Sequence, residues 1–112
     1  MFVMQEKTSL LEILIEAKRL INEPNGWLKF KLHDGEGGYC ALGAVYGAAE
    51  GSLSPRCDSV AGNMAHRHLA LYAPGGVAEL NNKGTLEDVN KMFCQAIEKA
   101  AEDQVREEAS ND

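Results

Sequence analysis

From Gly37 to Ala48 the chain reads Gly-Gly-Tyr-Cys-Ala-Leu-Gly-Ala-Val-Tyr-Gly-Ala, a glycine-rich approach that delivers a cysteine to the start of a helix built almost wholly from small side chains. Such a helix is poor at standing alone, because each interior glycine costs about 1 kcal/mol relative to alanine. Close tertiary packing must recover that cost, so the segment predicts a central helix over Cys40 to Glu50. Gly43, Gly47 and Gly51 beside Ala44 and Ala48 leave a shallow groove, and Cys40, Ala44, Gly47 and Ala48 are expected to lie against another helix. The same geometry has a chemical use. Unpaired amides and the positive dipole end of a helix can lower the pKa of a cysteine placed there.

A chain of 112 residues hides roughly two thirds of its unfolded surface on folding, enough for one core. The uncharged run from Leu69 to Val77 is broken by Pro74-Gly75-Gly76, so nothing approaches the roughly 20 apolar residues of a membrane span. Met1-Phe2-Val3-Met4 is followed at once by Gln5-Glu6-Lys7, without the basic start or apolar length of a secretion signal. A soluble, cytoplasmic protein is expected. Three cysteines with no Cys-x-x-Cys pair suit reduced thiols. Of the net charge of −6, five acidic residues against Arg106 alone fall in the last eleven positions. With Lys29 and Lys31 as the close basic pair and no basic stripe, neither nucleic acid nor membrane is an expected partner.

The expected fold is mainly α, a compact bundle of about four helices with a short β-hairpin near residues 27–40. Residues 1–104 form a single helical domain, and 105–112 an acidic tail that frays. Ser9-Leu10-Leu11-Glu12 is a capping box, with Thr8 the competing cap, and it opens a helix to Asn22. Leu10, Ile13, Leu14, Ala17, Leu20 and Ile21 share its inner face. Leu11 and Ile15 fall beside that face, where they either widen the buried stripe or form a ridge for a partner. Trp27 to Leu32 alternates like a short strand, and Trp27 is expected to cover one end of the core with its indole N–H satisfied. A third helix over Val60 to Tyr72 turns Val60, Ala61, Met64, Ala65, His68, Leu71 and Tyr72 inward and His66 outward. A turn of helix at Val77 to Asn81 precedes a long helix capped at Thr85, with Asn90 a polar residue within its apolar arc.

Cys40, His68 and Asn81 stand in the chain order of cysteine hydrolases, where a thiolate attacks, an imidazole moves the proton and an amide orients the ring. Against that reading, so small a chain has little wall for a substrate cleft, and Asp34 and Glu36 would raise the thiol pKa. Cys57, Cys94, His33 and His66 have no ligand spacing, and the glycine loops lack a phosphate-loop lysine, so no metal and no cofactor is expected. Asn81-Asn82 could present amides to a ligand, although such residues usually satisfy local backbone groups.

Gly26-Trp27, Cys40-Ala41-Leu42-Gly43-Ala44, Asn81-Asn82 and Thr85-Leu86-Glu87-Asp88-Val89, with Phe93 and Ala96 beyond, occur in this order. The chain thereby resembles an uncharacterised family of small bacterial and phage proteins over residues 9 to 100, with Asn82 where the family often has Asp. The resemblance implies a fold and an origin and transfers no catalytic residue. The leading expectation is a non-enzymatic protein-interaction or regulatory protein, of the kind a phage or mobile element uses to modulate host machinery. Leu11 and Ile15 would contact a protein partner or a second copy in a weak homodimer. A small cysteine-dependent hydrolase or transferase using Cys40 is the alternative.

Overall fold

The computed structural model describes residues 6–7 and 9–110, with side chains through Arg106. Met1 to Gln5, Thr8 and the last two residues lie outside the described residues. Within them the chain forms α1 (Leu10–Ile21), α2 (Ala41–Glu50), α3 (Val60–Ala70), α4 (Val77–Lys83) and α5 (Leu86–Ser110). Hydroxyl caps start three of these. The Ser9 Oγ accepts from the Glu12 N–H at 3.1 Å and the Ser59 Oγ from the Gly62 N–H at 3.2 Å. At the head of α5 the Thr85 Oγ1 accepts from the Asp88 N–H at 3.2 Å while Asp88 accepts from the Thr85 N–H at 3.0 Å, a reciprocal capping box.

Among the described residues the helix count is five rather than about four. The single turn expected at Val77 runs to Lys83 and stands as an element of its own, and α5 carries helical backbone past Gln104 to Ser110. The core takes Ile13, Leu14, Ala17 and Ile21 from α1, Ala44, Val45 and Ala48 from α2, Leu69 from α3, Val77 from α4, and Val89, Phe93 and Ala96 from α5. No described helix is long and apolar enough to cross a membrane.

Three expectations give way. No strand forms among the described residues. Trp27 and Tyr39 make one isolated parallel bridge, and His33 and Tyr39 one antiparallel bridge. The alternation from Trp27 to Leu32 fails because Phe30 turns left-handed at φ 62°, which breaks the shared face, and Phe30 and Leu32 end in solvent. The segment is an irregular loop wrapped on Tyr39, whose N–H donates to the Gly26 carbonyl and whose carbonyl accepts from the Leu28 N–H, both at 2.9 Å.

The glycines of α2 do not form a helix–helix groove. A Cβ on Gly43 would stand 1.8 Å from the Leu32 carbonyl oxygen, and one on Gly47 2.6 Å from the Tyr39 ring, so these positions admit loop backbone and an aromatic edge. The alanines do meet a helix, because Ala44 and Ala48 join the core cluster with α1. In α3 the buried residues are Gly62, Ala65 and Leu69, while Val60, Met64 and Leu71 are exposed. The helix is rotated from the hydrophobic face because the Tyr46 ring of α2 lies on Gly62, where a Cβ would meet it at 2.4 Å.

Candidate functional site

Asn81 organises the irregular half of the molecule. It lies on α4 one turn after buried Val77, is 0% exposed, and uses every hydrogen-bonding position of its carboxamide. Its Oδ1 accepts from the Trp27 indole Nε1 at 2.7 Å and from the Ala41 N–H at 2.9 Å. Its Nδ2 donates to the Leu28 carbonyl at 2.9 Å and to the Asn82 Oδ1 at 3.2 Å. Asn82 extends the clamp, accepting from the Phe30 N–H at 2.7 Å. One asparagine pair therefore ties the loop to the first residue of α2. Buried backbone groups that no helix or sheet satisfies need such partners, since an unpaired one costs about 1–3 kcal/mol.

What the clamp presents is an aromatic residue between two cations. Phe30 is 79% exposed and left-handed, Leu32 is exposed beyond it, and Lys29 and Lys31 flank it. The Lys29 Nζ sits 5.4 Å from the centroid of the Trp27 ring, a cation–π contact that steadies the basic side chain. Beneath lies an open hollow of about 320 Å³ lined by Phe30, Lys31, Leu32, Cys40, Leu42, Ala78 and Asn82. At the far end of the loop Asp34 accepts from the Glu36 and Gly38 N–H groups at 2.8 and 2.9 Å, and these bonds hold its carboxylate below the ordinary aspartate value.

The structure places Asn81 beside Cys40 but leaves His68 elsewhere. Cys40 is the N-cap of α2, buried, with its Sγ accepting from the Gly43 N–H at 3.3 Å. Burial pushes its thiol pKa up, and the N–H bonds that pull the other way are the smaller effect. The His68 Nε2 donates to the Ala96 carbonyl of α5 at 3.1 Å, and its ring packs on Tyr72 at 5.8 Å. Among the described residues no hydrogen bond joins His68 to Cys40 or Asn81.

Leu11 packs in part against the core, and Ile15 is 51% exposed in a shallow hollow with Lys18, Arg19, Asn22 and Ile97. Cys57 is half-buried, Cys94 is exposed on α5, and the His66 ring meets Tyr46 edge-on at 6.3 Å. The His33 Nδ1 is buried without a hydrogen-bond partner among the described residues. No group of three or more His, Cys, Asp or Glu among the described residues could hold a metal ion. Trp27 meets its expectation, half-buried with its N–H bonded. The hub itself was missed, although Asn81 standing four residues after Val77 on the inner face of a short helix was a signal for it.

Fold and site define a five-helix domain built around a clamped, aromatic-tipped loop. The chain belongs to a family of unknown function, DUF6197, whose model matches residues 5–99. No curated protein and no solved structure matches it.

Proposed function

We propose that this chain is a non-enzymatic protein-interaction module whose working surface is the clamped loop around Phe30. The observation that carries the reading is the cost of displaying that residue. A left-handed conformation costs a side chain other than glycine roughly 1–2 kcal/mol, and Phe30 recovers none of it by burial. Strain of this kind persists where the surroundings over-determine it and clusters at ligand-contacting sites. Here Asn81 and Asn82 supply the surroundings. A rigid aromatic anchor between lysines suits a protein surface that is apolar at its centre and acidic at its rim. A phage or mobile-element accessory role rests on the family resemblance alone. The hydrolase alternative has less support, because burial pushes the Cys40 thiol pKa up and the His68 imidazole that would serve it is bonded to α5.

Display selection of random peptides on the parent chain tests the proposal, with Phe30→Ala as the counter-selected form. Enriched peptides should combine an aromatic or aliphatic residue with Asp or Glu and bind the variant at least about tenfold more weakly, the loss expected of an interface anchor. The variant should melt with the parent. Enriched peptides that bind both forms equally would remove the loop from the reading.

A further inference from the structure

The last turns of α5 are the mirror image of the loop in charge. Ala100 is the last buried residue of α5 among those with described side chains, and the helix runs ten residues beyond it, about 15 Å at the α-helical rise. A helical extension this short is marginal in water without packing. Ala101 and Val105 stand one turn apart on it, Val105 being 65% exposed. Glu98 and Glu102, also one turn apart, run alongside, and the four residues line an open hollow of about 540 Å³ with Arg106, which pairs with Asp103 at 3.4 Å. No salt bridge among the described residues uses Glu98 or Glu102, and none uses Lys29 or Lys31.

We infer that the Phe30 loop of one copy docks on the α5 end of a second copy, Phe30 lying on the Ala101–Val105 face while Lys29 and Lys31 meet Glu98 and Glu102. The inference rests on the reading of the loop as an interaction surface and names its occupant. Such a contact joins two different patches, so it is heterologous and propagates or closes into a ring. Its small footprint puts it in the weak, transient class. Four of its charges lie at the rim, so raised salt weakens it.

Sedimentation velocity over a concentration series tests the contact with the full chain, the Lys29→Glu, Lys31→Glu form, the Glu98→Lys, Glu102→Lys form, and an equimolar mixture of the two variants. The parent should self-associate with rising concentration and dissociate as salt is added. Each variant should associate at least about tenfold more weakly, since like charges then face one another. The mixture should regain association, because the intact lysine loop of one variant meets the intact acidic helix of the other and the two reversed patches also carry opposite charges. Circular dichroism melts matching the parent would show that both exposed double variants are folded. A parent that stays monomeric to millimolar concentration, variants that associate like the parent, or a mixture that stays monomeric would each overturn the inference. If peptide selection through Phe30 succeeds while self-association fails, the loop reading stands and its occupant is a foreign acidic segment; if both fail, the loop reading falls too.

Discussion

Around Asn81 three hydrogen bonds tie residues 27 to 41 to α4, one of them buried and two part-buried; around Asn90 two reciprocal amide bonds, at 2.7 and 3.0 Å, join Asn22 at the end of α1 to α5 at the surface. Both residues sit on helix faces that are otherwise apolar. They serve regions of opposite construction. The α1–α5 side is regular helix whose backbone satisfies itself, and apolar side chains such as Ile13, Leu14, Val89 and Phe93 hold it together. The side containing the loop has few regular bonds of its own, so order there is concentrated in a few polar atoms and in the close approach of Leu32 to Gly43. Order spread over many contacts tolerates the loss of one. Concentrated order does not.

The sharpest break of this contrast is Asn81→Leu against Asn90→Ala. The first removes the partner of the buried Ala41 N–H and of the part-buried Trp27 indole N–H and Leu28 carbonyl, and should cost about 3–5 kcal/mol in urea unfolding. The second opens its partners to solvent and should cost under about 1 kcal/mol. Equal losses would show that the two amides do the same work. Next in size is Gly43→Ala, whose new methyl must displace the Leu32 carbonyl. A loss of about 1–3 kcal/mol in thermal unfolding is expected, as for overpacked cores, and an unchanged melting temperature would mean that the loop yields freely.

On the regular side the comparison sharpens within one helix. Leu11→Glu loses part of a buried leucine and should cost about 1–2 kcal/mol, while Ile15→Glu should stay within about 0.5 kcal/mol of the parent. The smallest effect concerns acid. Asp34 has a folded pKa below its ordinary value of 3.8, so its bonds to Glu36 and Gly38 stabilise the fold above that value. That contribution is lost as pH falls from 3.8 through the lower folded value. Urea midpoints at about pH 6 and about pH 3 should show the parent approaching Asp34→Asn on acidification. A constant gap between them would remove the turn from the acid response.

Legibility in the sequence follows the same division. Ser9 and Thr85 mark their helices, and the stripe of α1 names the residues that are buried there, because capping and 3.6-residue periodicity are local properties. The loop was misread as a hairpin because alternation says nothing of a left-handed turn at Phe30. The inner face of α3 was misplaced because Gly62 has no hydrophobicity to contribute, yet it seats the Tyr46 ring by having no side chain. Small residues in α2 predict close approach, and the object is a helix at Ala44 and Ala48 but a loop and a ring at Gly43 and Gly47, since a missing side chain does not say which will fill the space. Of the candidate site, the sequence offers Cys40 as a packing residue or a nucleophile and Asn81 as a local backbone partner, a ligand-facing amide or a catalytic amide. The bonds of Asn81 to Trp27, Leu28 and Ala41 reach residues 40 and more positions away in the chain, beyond the span of any local pattern.

That reach has a kinetic side. The carboxamide of Asn81 finds its partners only after α4, the start of α2 and the segment at Trp27 have all arrived, with separations of 40 and 54 residues to be closed first. Loop closure on that scale is slow to be rewarded, which assigns these bonds to the descent after the transition state. Removing them should leave the folding limb of a chevron almost untouched and steepen the rate at which the native state comes apart. The sole tryptophan donates directly to this amide, so its fluorescence reports the moment the clamp lets go.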